Sequence, residues 1–135
     1  MRMLQYCPAH IVSILALVAV GSSCGREDAA PGTSIEPSEL AARLSSDTAP
    51  PILDVRSPDE FASGHIPGAV NVPVRELSDR LGALELSPNE EIVVHCQRGG
   101  RAAAAEAILR ESGYTDVREL SGHMEAWRAG GHPLN

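Results

Sequence analysis

One six-residue stretch, Cys96-Gln97-Arg98-Gly99-Gly100-Arg101, gathers a nucleophile, two guanidinium groups and two adjacent glycines. The reactive form of a cysteine is its thiolate, so what surrounds Cys96 matters more than the thiol itself. Gly99 and Gly100 allow the backbone to curl until successive N–H groups converge on one point. A helix predicted to begin near Arg101 would add its positive end to the same place. Arg98 and Arg101 carry planar forks that can grip the oxygens of a small anion. Gln97, Arg98, Gly99, Gly100 and Arg101 are therefore the expected substrate cradle, with Cys96 as the catalytic nucleophile at its floor. Asp54 and Arg56 are expected to support this edge of the fold as a structural ion pair. His95 precedes the nucleophile, but side chains alternate along a strand, so it should point away from Cys96 in a structural role. The histidines show no spacing with acids or with Cys96 that would hold an ion. No metal and no other cofactor is expected.

The elements around this loop must place it at one edge of a sheet. Glu91-Ile92-Val93-Val94-His95 is the strongest strand signal, and it runs directly into Cys96. Ala102 to Glu111 is Ala-rich and ends at Gly113, so a helix follows the loop. Pro51 to Val55 reads as a buried strand, Ala69 to Pro73 as a short one and Tyr114 to Leu120 as the last. Ser57-Pro58-Asp59-Glu60 carries a capping Ser, Pro at the first helical position and early acids, which start a helix. Helices are also expected over Glu39 to Leu44, Glu76 to Leu84 and Met124 to Ala129. Strands alternating with helices imply a mostly parallel sheet with helices on both faces. In such a sheet the carboxyl edge, where Cys96 falls, is the usual place for a ligand.

The 135-residue chain carries a formal charge of −7. That balance argues against a nucleic-acid partner, whose phosphates require a basic face. All eleven basic residues are Arg, which excludes a lysine nucleophile or Schiff base. Aromatic residues make up only 3%, so the core must be aliphatic, with Phe61 and Trp127 marking packing positions. Arg2, the uncharged run Ile11 to Val20 and the small residues Gly21-Ser22-Ser23 together read as a signal peptide over residues 1–23. Cys24 then sits where a lipid could be attached in the manner of a bacterial lipobox; a plain signal-peptidase cut is the alternative. Residues 24–32 read as a flexible tether and residues 33–135 as the one folded domain. The expected location is the periplasm or cell envelope, with membrane contact only through the N-terminal lipid. Of three cysteines, Cys96 alone lies in the folded part, so it has no disulfide partner there.

Asp54-Val55-Arg56, Glu60 to Ala69, Cys96 to Arg101 and Ser121-Gly122-His123 with Ala126-Trp127 resemble, in order, the signatures of single-domain rhodaneses. The resemblance implies an α/β, doubly wound domain with a mostly parallel five-stranded sheet. It implies a thiosulfate sulfurtransferase-like enzyme that carries a sulfane sulfur as a Cys96 persulfide. The donor would be a small anion such as thiosulfate or a persulfide, the acceptor a thiol or cyanide-type nucleophile. By the same resemblance Arg98 and Arg101 are the anion contacts. Two positions depart from the family's pattern: Ala102, where Ser is common, and His123, where a second Gly is common. Related phosphatases and arsenate reductases resemble His-Cys-x5-Arg, whereas four residues separate Cys96 from Arg101 here. The smaller ring suits a single sulfur atom better than a tetrahedral oxyanion. Phosphatase or arsenate reductase chemistry, and a non-catalytic module that binds anions or a partner, are the alternative readings.

Overall fold

The computed structural model describes residues 34–135. The expected signal peptide, the tether and Cys24 lie outside the described residues. Five strands form one sheet: β1 (Ser34–Ile35), β2 (Ile52–Asp54), β3 (Val70–Asn71), β4 (Glu91–His95) and β5 (Asp116–Leu120). Their order is β1-β5-β4-β2-β3 and every pairing is parallel. The α-helices are α1 (Pro37–Ser45), α2 (Pro58–Ala62), α3 (Leu77–Arg80), α4 (Gly100–Glu111) and α5 (His123–Ala129).

Alternation along the strands splits the core between the two faces of the sheet. Leu53, Ile92, Val94, Cys96 and Val117 face Leu77 of α3 and Ala102, Ala105 and Leu109 of α4. Ile52, Val93 and Leu120 face Leu40 of α1 and Met124 and Trp127 of α5. A parallel sheet covered on both faces needs aliphatic residues at successive positions, which is why Ile92, Val93 and Val94 are all buried. The one tryptophan is fully buried, and its indole N–H donates to the Pro133 carbonyl at 2.8 Å. Phe61 is half-buried and stacks on His65, with ring centroids 3.7 Å apart.

The fold departs from the sequence expectation at two elements. The fifth strand is β1, two residues at the sheet edge beside β5; so short a strand has no alternation to read. The helix expected from Glu76 to Leu84 is instead one turn of α-helix, α3, between two 3₁₀ turns, Val74–Glu76 and Leu81–Ala83. Gly82 falls in the second of these turns, where helix propensity is weak.

The chain leaves β2 toward β3 on one side and then crosses to β4 on the other. The direction of winding therefore reverses between β2 and β4, and a crevice opens beyond their carboxyl ends. A buried charge pair fixes the β2 side of that crevice. Arg56 holds Asp54 with a fork, Nε to Oδ1 at 2.9 Å and Nη2 to Oδ2 at 2.6 Å, with both side chains at most 1% exposed. Arg56 also donates to the Gly64 carbonyl at 3.0 Å, tying the turn after α2 to the sheet edge. The Arg56→Ala variant would strand a buried carboxylate and should lose about 3–5 kcal/mol, read as a lower urea midpoint.

Candidate active site

Cys96 follows β4 directly and α4 begins four residues later, so the loop is a tight crossing from strand to helix. Gly99 stands at φ +124°, a backbone region that an L side chain rarely adopts. A Cβ there would also lie 2.9 Å from the His123 ring. With that turn in place, the Gly99 N–H donates to Cys96 Sγ at 2.9 Å.

The start of α5 holds the outer side of the loop. The Met124 N–H donates to the Cys96 carbonyl at 3.1 Å and the Glu125 N–H to the Gln97 carbonyl at 3.4 Å. The first N–H groups of a helix have no partner within it, and here the loop supplies one. Among the described residues every peptide bond is trans, so N–H and C=O of each unit point in opposite directions. Carbonyls pinned toward α5 therefore turn the Gln97 and Arg98 N–H groups away from α5. The positive end of the twelve-residue α4 faces the same sulfur.

The two arginines of the loop already have partners. Arg98 is exposed and pairs with Glu125 at 2.6 Å. Arg101 grips Glu60 of α2 in a fork, 2.6 and 2.9 Å, and lies close enough to Cys96 to feel its charge. Hydrogen bonding to Arg101 holds the Glu60 carboxyl down at about 2 against the cost of burial, and its bonds to Ser57 add to this. Ser57 and Glu60 also form a complete capping box on α2, so the cap that starts α2 also anchors Arg101. Arg101 thus brings a charged but carboxylate-paired guanidinium to the sulfur. Arg98 points its charge at Glu125 on the surface.

Asp54 and Arg56 form the expected ion pair on the face of the sheet opposite Cys96. His95 lies beside them, fully buried, with Nε2 3.7 Å from Asp54 Oδ2 and Nδ1 3.5 Å from the Cys96 carbonyl. Burial pushes its pKa down to about 4, although the Asp54 charge opposes this. It is a neutral structural imidazole, as strand alternation requires.

Two features around the loop take their place only from the fold. A cleft of about 160 Å³ opens beyond the ends of β2 and β3, lined by Val55, Ser57, Val74 and Arg75 among others and reached from the loop side by Arg101. Arg75 is exposed there and has no carboxylate partner among the described residues. The second feature is His123, buried behind the loop, whose Nδ1 accepts the Cys96 N–H at 3.5 Å. Nothing local marks Arg75, and His123, noted in the sequence only as a departure from the family's pattern, meets the loop through the tertiary fold.

The Rhodanese-like domain family matches residues 36–130. The chain is 40% identical over 86 residues to the HTH-type transcriptional regulator Rv0324 of Mycobacterium tuberculosis, covering 62% of this chain and 37% of that protein. It thus spans little more than a third of that regulator's length. It is 34% identical to the thiosulfate sulfurtransferase PspE of Escherichia coli, covering 52% of this chain and 67% of that one. The crystal structure of a rhodanese-related protein from Thermoplasma volcanium superposes with a TM-score of 0.66 at 29% identity, over 76% of this chain and 97% of the other.

The depressed value of His95 sets a pH window for stability. The unfolded chain binds this proton near 6.5 and the folded one only near 4. The contribution is intact above about 6.5 and is lost as pH falls toward 4. A His95→Gln variant should show a smaller fall in melting temperature than the parent across that interval, measured by circular dichroism.

Proposed function

Since the chain belongs to the rhodanese-like domain family, we propose that it is a sulfurtransferase that carries sulfane sulfur on Cys96. The observation that carries this reading is the short cradle, in which the Gly99 N–H donates to Cys96 Sγ at 2.9 Å within a four-residue turn to Arg101. A ring of this length suits one added sulfur on Sγ better than a tetrahedral oxyanion. The relatedness to a thiosulfate sulfurtransferase supports the same chemistry.

In the first step the Cys96 thiolate attacks the outer sulfur of thiosulfate. A new S–S bond forms, the old one breaks, and sulfite leaves with its electron pair. In the second step a thiol or cyanide-type acceptor attacks the outer sulfur of the persulfide, and the Cys96 thiolate is regenerated. The negative charge moves by one atom only, so fixed amide dipoles can stabilise both states without rearranging. The donor releases an anion that needs no proton, so no general base is required. Arg101 steadies the sulfur at the crevice, and Glu60 keeps that guanidinium in place.

We also propose export. Residues 1–23 have the build of a signal peptide and Cys24 stands where a lipid would join; on this reading the chemistry belongs to the cell envelope.

Mass spectrometry of protein treated with thiosulfate should show the gain of one sulfur atom, removable by cyanide, and Cys96→Ser should abolish both gain and turnover. Retained transfer in that variant, or aryl phosphate hydrolysis without any sulfur gain, would overturn the reading. The N-terminal peptide of protein from membranes should begin at Cys24 and carry lipid; an unmodified N-terminus there would refute anchoring.

A further inference from the structure

Residue 123 is an unusual place for a histidine. Its backbone stands at φ +53°, a left-handed conformation that a Cβ disfavours. The side chain is nonetheless buried, with the residue 7% exposed. Strain of this kind persists where the surroundings over-determine it, and it clusters at functional sites.

The ring contacts the loop on two sides. Its Nδ1 accepts the Cys96 N–H at 3.5 Å, and its Nε2 fills the space that a side chain at Gly99 would need. On the far side Nε2 lies 3.4 Å from Glu119 Oε2 of β5. An Nδ1 that accepts implies a proton on Nε2, which is the one that faces the carboxylate. The peptide unit joining His95 to Cys96 is then held at both ends. Its carbonyl accepts the Val55 N–H at 3.0 Å, and its N–H is taken by His123. The next two units are held through their carbonyls by Met124 and Glu125. His123 completes a set of anchors that turns the following amides toward the sulfur.

We propose that His123 is a positioning residue for sulfur transfer: through its Nδ1 lone pair it fixes the Cys96 peptide, and so aims the loop amides at the persulfide. This rests on the sulfurtransferase reading for its kinetic consequence, but not for its geometry.

A protonated ring has no lone pair and would set one N–H against another. Burial lowers the pKa of His123, which keeps the lone pair available at neutral pH. The charged and titratable groups around it are Glu119 on β5, Glu106 of α4 beside Glu119, Arg110 bonded to Glu106, His95 and Cys96 at the end of β4, and Glu125 on its own helix. Glu119 is itself pushed up to about 7 by burial and by its contact with Glu106. The cradle should therefore loosen as pH falls and His123 takes a proton.

The test compares the parent with His123→Gly and His123→Asn from about pH 5 to 8. Glycine accepts the left-handed backbone, so that variant should fold, while asparagine tolerates it and returns an acceptor oxygen near the Nδ1 position. With thiosulfate as donor, His123→Gly should lose about tenfold in kcat with KM changed less than about twofold, since the loss falls on the transition state. His123→Asn should stay within about threefold of the parent and lack one ionisation from the acid limb of the profile. Parental rates in His123→Gly, or equal impairment in both variants, would overturn the proposal. Nitrogen-15 NMR of the parent gives a readout independent of turnover. It should show the Nε2–H tautomer at neutral pH and a Cys96 amide that shifts as His123 titrates. An Nδ1–H tautomer, or an indifferent Cys96 amide, would sink the proposal even if sulfur is transferred; failure of transfer with the expected tautomer would sink only the enzymatic reading.

Discussion

The shape of the loop around Cys96 depends on the direction of three peptide planes. A trans peptide cannot point both its dipoles the same way, so aiming amides at a sulfur requires something to take the carbonyls on the other side. The start of α5 does this for Cys96 and Gln97, and the edge of β2 does it for His95 through Val55. The arrangement also satisfies helix-terminal donors and loop acceptors that would otherwise be buried without partners. Anion cradle and helix start are two sides of one set of hydrogen bonds.

Electrostatics add less than the count of arginines implies. Arg98 and Arg101 carry full charges into the loop region, but Glu125 and Glu60 answer them at 2.6 Å. What remains uncompensated near the sulfur is the α4 dipole and the Gly99 amide, with the exposed guanidinium of Arg75 on the neighbouring cleft. Pairing keeps Arg101 ordered beside the thiolate, at the expense of some of its attraction at long range. On the other face Asp54, Arg56 and His95 form a dry polar group. Their role is to fix the ends of β2 and β4, so that the crevice between them keeps its shape.

Much of this was legible in the chain. The run into Cys96 marked a buried central strand, and alternation put His95 on the face away from the thiol. Ser57 and Glu60 announced a helix start, and the structure closes the full capping box there. The mostly parallel sheet with helices on both faces followed from strands and helices taking turns. These features depend on residues within a few positions of one another, where periodicity and capping act directly. Less was visible where an element is too short to have a period. The edge strand Ser34–Ile35 and the interrupted helix at Leu77–Arg80 are of this kind.

Cys96 as the candidate, the length of its loop and the sheet edge on which it stands could be read from the chain alone, because each is a local property of residue type and spacing. Only the tertiary structure decided who answers the charges and who holds the backbone. Glu60 meets Arg101 across 41 positions, and Glu125 and His123 each reach the loop across 27. Such pairings arise where β2, β4 and β5 end side by side, and no spacing along the chain encodes them. The open arginine followed the same rule: Arg75 could be told from Arg101 only after folding had given one a carboxylate and left the other facing the cleft.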